Sequence, residues 1–160
     1  MQGKATIAGH PVHPILVTFP IGCFVAAIVA DIISIWAGPV FWSPMATWLI
    51  LFGVLGSLVA GLFGFIDYLT APMSPKAKNV AAWHMTLNVA LIVIFGWACA
   101  VRFHDHTAVG GYVLTVLGIL ILGVAGYLGG DVAHRHLVGS SEEDVGTSRR
   151  AEEDTSRQTV

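Results

Sequence analysis

Charge is what this sequence has least of. Asp, Glu, Lys and Arg make up 11% of its 160 residues, against about a quarter in an ordinary soluble domain. A chain that is 55% hydrophobic lacks the polar side chains needed to cover a water-facing surface, so a membrane protein is the class to expect. The eight Lys and Arg are scattered and build no basic face, which argues against nucleic acid as a partner. Cysteine is nearly missing. Cys23 and Cys99 both sit inside apolar runs and at different depths, and there is no CxxC, zinc-ligand spacing or CxxCH. They read as small buried apolar residues, not as a disulfide. Neither a nucleophile elbow nor HExxH is present, which disfavours a hydrolase.

Long uncharged apolar runs are what the sequence does have. Four stand out, at residues 15–37, 47–68, 80–103 and 110–133. Each is long enough to cross about 30 Å of hydrocarbon as a helix, and in lipid an open-ended span must be helical to satisfy its own backbone. The expected fold is all-α: an integral membrane four-helix bundle over residues 1–137, followed by a disordered tail at 138–160. That tail is Ser, Glu, Asp, Arg, Thr and Gly, too polar to fold alone. The first run exceeds a signal-peptide core, and Ile35-Trp36-Ala37 is no small-x-small cleavage site, so it reads as a retained span.

Lys4, Lys76, Lys78, Arg135, Arg149, Arg150 and Arg157 fall on one side of these spans and only Arg102 on the other. The positive-inside rule then places both termini on the cytoplasmic side of the membrane. Trp36, Trp42 and Trp48 fit an aromatic belt at the far interface. In the second span Gly56, Ala60 and Gly64 form one small-residue ridge and Gly53, Ser57 and Gly61 another, suited to close helix packing. Gly126 and Gly130 repeat the idea more weakly. Each helical hairpin starts near His and ends near Asp (His13 to Asp67, His84 to Asp131), a hint of a repeat about an axis along the membrane normal.

The polar residues gather at the cytoplasmic end. His10 and His13 precede the first span, Asp67 and Tyr68 close the second, His84 and Asn88 open the third, and Asp131, His134 and His136 close the fourth. Ionisable groups at membrane depth face a bundle interior or a watery cavity. Three readings compete. In one, two imidazoles from His13, His84 and His134 hold a haem b iron, with Lys76, Lys78 and Arg135 near its propionates. In another, His10, His13, His84 and Asp131 bind a divalent metal such as zinc or iron, with Asp67 and Asn88 as supporting partners. In the third the histidines cap helices and fix registry without chemistry. Asp31 and Arg102 lie at the outer end, where a structural ion pair is expected and a proton relay is the alternative. His104-Asp105-His106 is a weak candidate metal cluster in the outer loop. No catalytic residue is assigned.

The run His10-Pro-Val-His-Pro-Ile-Leu-Val-Thr-Phe-Pro-Ile-Gly, with Asp31 downstream, Gly61-Leu-Phe-Gly-Phe-Ile-Asp-Tyr, His84 with Asn88, and the closing Gly129-Gly-Asp, resembles the bacterial family known as domain of unknown function 2231. The resemblance covers residues 10–137. It implies a four-helix inner-membrane protein and brings no established reaction. The function to expect is a small, redox-associated or metal-binding membrane protein, working with a membrane redox partner or as a homo-oligomer. The alternative is a non-catalytic structural or accessory subunit without cofactor. A transporter is a weaker class, since four spans are few and Pro20 is the only sign of a broken helix.

Overall fold

The computed structural model describes residues 6–7 and 10–134, with side chains for residues 12–133. The tail at 138–160, with His136, Arg135 and Lys4, lies outside the described residues, as do the side chains of His10 and His134. Two short strands, β1 (Thr6–Ile7) and β2 (His10–Pro11), pair antiparallel with Ile7 opposite His10. Four helices follow: α1 (Val12–Ala37), α2 (Pro39–Thr70), α3 (Pro75–His104) and α4 (Val109–His134). All four are long and apolar enough to cross a membrane.

Local chemistry sets the helix limits. Pro14 is tolerated in the first turn of α1, where its missing N–H would have had no intrahelical partner. Residues 38–46, expected as an outer loop, are helical from Pro39 on, so the turn between α1 and α2 shrinks to Gly38. Gly38 takes φ +94°, a backbone state that glycine reaches at no steric cost, and Pro39 then starts α2 with a preset φ. At the other end of α2, Ala71 is extended because Pro72 follows it. Ser74 opens α3 by accepting the N–H of Ala77 at 3.2 Å, and Pro75 follows as the first helical residue. Asp105 closes α3. Its Oδ1 accepts the N–H and hydroxyl of Thr107 at 2.8 and 2.7 Å, a local turn that leads into α4.

The connections are short, so neighbouring helices run antiparallel and both described ends of the bundle emerge at the His13 end. α1 packs most extensively on α2 and α3 on α4, with α2 on α3 next. α1 and α3 stand diagonally opposite and meet through long side chains at the bundle centre. Phe24, Ala27, Ile50, Leu91, Phe95 and Cys99 form the core. Phe24 and Phe95 stack there with ring centroids 3.9 Å apart and planes within 4°. Most of the remaining apolar surface faces outward, as a bundle solvated by lipid requires: Trp36, Val40, Trp97 and Tyr127 are all exposed. Cys23 and Cys99 are both free thiols.

Candidate functional site

Three pairs of side chains meet along the centre of the bundle: His13 with His84, Phe24 with Phe95, and Asp31 with Arg102. Every pair joins α1 to α3, and its members are 71 positions apart in the chain. The glycines that receive these side chains repeat as well. His13 lies against Gly64 and His84 against Gly129; Phe24 lies against Gly53 and Phe95 against Gly118. Gly53 and Gly118, like Gly64 and Gly129, are 65 positions apart. The two hairpins are therefore related by a two-fold axis along the bundle. The weak His-to-Asp echo in the sequence is the visible trace of that relation. Its Asp67 and Asp131 stand out of register with the 65-residue step by one position.

At the histidine end the symmetry is close in detail. His13 Nδ1 lies 2.8 Å from the Ala60 carbonyl, and His84 Nδ1 lies 2.8 Å from the Ala125 carbonyl. Ala60 and Ala125 each sit one turn before the cradling glycine, also 65 apart. A Cβ on Gly64 would stand 2.8 Å from His13 Cε1, and one on Gly129 at 2.8 Å from His84 Cε1, so only glycine admits either ring. A carbonyl at Nδ1 makes that nitrogen the N–H donor and leaves Nε2 with a lone pair, the form in which imidazole binds a metal. The two ring centroids are 6.5 Å apart with planes at 80°.

Asn88 breaks the symmetry. Its Nδ2 donates to the His84 carbonyl at 2.8 Å and lies 3.1 Å from His84 Nε2, whereas Val17 holds the matching place on α1. Asp67 and Asp131 are half-buried near the same end. The Nδ1 of His13 is taken by a backbone carbonyl and not by Asp67. Lys76 and Lys78 are exposed on the first turn of α3, with Lys78 Nζ 5.5 Å over the Tyr68 ring. Among the described residues no group of three or more His, Cys, Asp or Glu side chains is placed to hold a metal ion, so His13, His84 and Asp131 do not form such a group by themselves. His10 and His134 fall outside the described side chains.

A second polar layer occupies the opposite end, about 27 Å from the histidines at 1.5 Å per helical residue. Arg102 Nη2 donates to Asp31 Oδ2 and, at 3.2 Å, to Thr115 Oγ1. The guanidinium carbon lies 4.6 Å from the centre of the Tyr112 ring, whose hydroxyl is 3.1 Å from Ser34 Oγ and 2.7 Å from Ser43 Oγ. Thr47 Oγ1 lies 3.0 Å from His106 Nδ1. Ser34, Ser43, Thr47, Tyr112 and Thr115 were not singled out from the sequence. Hydroxyl residues are common in spans, and only the 71-residue step would have pointed to the level at which they gather.

The architecture and its two axial polar layers define a multi-pass membrane protein built from two equivalent helical hairpins. The model of the family described as predicted membrane protein, domain of unknown function 2231, matches residues 9–142, and the chain belongs to that family. No curated protein and no solved structure matches the chain significantly.

Proposed function

We propose that this is a small redox-associated protein of the bacterial cytoplasmic membrane that binds haem b between His13 and His84. The separation of the two imidazoles is the observation that carries the reading. With metal–nitrogen bonds of about 2.0–2.1 Å, ligands on opposite sides of one metal have ring centroids about 6.3 Å apart, and ligands of a tetrahedral site about 5 Å. The observed 6.5 Å matches the first arrangement in distance, and Asn88 Nδ2, 3.1 Å from His84 Nε2, would have to turn aside for that nitrogen to bind iron. Two imidazoles on opposite sides are what a b-type haem takes from a helical bundle. Zinc asks for four ligands, so the divalent-metal reading through His10, His13, His84 and Asp131 needs more than this pair.

On the haem reading, Ala60 and Ala125 fix the tautomer of each imidazole, Gly64 and Gly129 seat the rings, and His134 is the remaining candidate ligand from α4. Haem bound there supplies one-electron transfer. The chain itself contributes ligands and no catalytic residue, so it works with a membrane redox partner. Seven of eight Lys and Arg lie on the histidine side of the spans, which supports placing that layer and both termini at the cytoplasmic face. One observation favours the accessory-subunit reading: each Nδ1 bond also closes its own hairpin, a purely structural service.

The test is a visible spectrum with elemental analysis of the full-length protein, expressed with ample haem and purified in detergent. A Soret band that is lost in both His13→Ala and His84→Ala supports haem. Bound metal without a Soret band selects the divalent site. A colourless, metal-free protein selects the accessory subunit.

A further inference from the structure

The outer polar layer holds a charge pair that the protein leaves half-satisfied. Arg102 is 0% and Asp31 2% exposed. Arg102 Nε and Nη1 and Asp31 Oδ1 have no hydrogen-bond partner among the described residues. Nε carries one N–H and Nη1 two, so three donors on the guanidinium and one oxygen of its counter-charge are buried without a partner among the described residues. The neighbouring side chains are already engaged. Thr115 gives its hydroxyl hydrogen to the Gly111 carbonyl at 2.9 Å. The Tyr112 hydroxyl pairs with Ser34 and Ser43, and that residue meets the guanidinium with the face of its ring.

Charge decides what completes the layer. Asp31 and Arg102 already balance, so an added ion would bring an uncompensated charge into a region of low dielectric. The site asks for a neutral molecule that accepts from N–H and donates to a carboxylate. Water does both, and buried water is held where two to four polar groups converge. We propose that the outer layer is a water-binding site in which ordered water bridges Asp31 Oδ1 to the free N–H groups of Arg102 and exchanges with the aqueous phase at that end of the bundle.

The surroundings give the direction of exchange. Outward lie the half-buried Tyr112 and His106, linked to Ser34, Ser43 and Thr47. Inward lie the stacked rings of Phe24 and Phe95 with Ala27, Ile50 and Leu91, an apolar plug without polar side chains. Water at Asp31 and Arg102 thereby exchanges with the outer phase and is shut off from the histidine layer. The inference is independent of whether haem is bound.

Arginine-selective NMR tests it. Arg135, Arg149, Arg150 and Arg157 all follow His134 in the sequence, so the full-length variant R135K/R149K/R150K/R157K keeps Arg102 as its sole arginine. With ¹⁵N-arginine label in lipid nanodiscs, the Arg102 Nε–H and Nη–H signals should receive magnetisation from water. They should also exchange into ²H₂O at least tenfold faster than the backbone amides of Phe24 and Phe95, whose protection in the same sample rules out global opening. Arg102 signals that take nothing from water and exchange no faster than those amides would overturn the proposal, whether the layer is dry or filled by another molecule.

Discussion

Single glycines decide whether the axial residues can meet. Gly64 and Gly129 lie directly against imidazoles, whereas a Cβ added at Gly61 or Gly126 would meet nothing within 4 Å. Gly61 and Gly64 both belong to small-residue ridges in the sequence, and on α4 the weaker ridge takes in Gly126 and not Gly129. The ridge of Gly56, Ala60 and Gly64 turns out to serve packing inside the bundle, Gly56 against Phe19 and Gly64 against His13. On α4, where Gly126 and Gly130 were expected to repeat that ridge, a Cβ added at either would meet nothing within 4 Å; the contact matching Gly64 falls to Gly129, and the one matching Gly53 to Gly118. A glycine's type cannot reveal which way its backbone faces, so this division was not legible beforehand. Gly64→Ala and Gly129→Ala should each cost about 1–3 kcal/mol by overpacking. Gly61→Ala and Gly126→Ala should be neutral or stabilising by up to about 1 kcal/mol, since alanine is the better helix former. Unfolding in mixed micelles measures all four.

Between elements, α1 depends on α3 through the buried pair of Asp31 and Arg102. Asp31→Asn leaves a fully buried guanidinium without its counter-charge and should destabilise the bundle by about 3–5 kcal/mol in the same assay. The two residues were readable as partners because they are the charged members of the outer half of their spans. The turn between α3 and α4 is a gentler case. The hydroxyl and N–H of Thr107 hold the Asp105 carboxyl below its ordinary value. A depressed value means that the turn is supported above the unfolded-state value near about 4 and loses that support as pH falls through the folded one. The Thr107 amide shift should therefore titrate in that acid range and cease to do so in Asp105→Ala. Helix existence was plain from apolar runs of span length. Helix limits were less so, because Pro39 and Pro44 read as loop residues until Gly38 is seen to make the whole turn by itself.

For the whole molecule, the two-fold axis is the organising feature. It places residues 31 and 102 at equivalent positions, but Arg102 lies against Gly111 where the buried Ala46 holds the matching place on α2, so the exchanged variant Asp31→Arg/Arg102→Asp should recover less than half of the stability lost in Asp31→Asn. Only fragments of this symmetry show in the sequence: His, Phe and Gly repeat at the axis, while Asp31 stands opposite Arg102 and Val17 holds the place of Asn88. The histidine layer was legible as a layer, but not as a pair: nothing in the spacing shows that the Ala60 and Ala125 carbonyls orient the two rings. Electron paramagnetic resonance of the oxidised, haem-loaded protein tests that pair most directly. If His13 and His84 both hold the iron, their ring planes at 80° predict a low-spin ferric signal of strong anisotropy that disappears in both His13→Ala and His84→Ala. A high-spin signal, or a low-spin one that survives either substitution, would contradict the account.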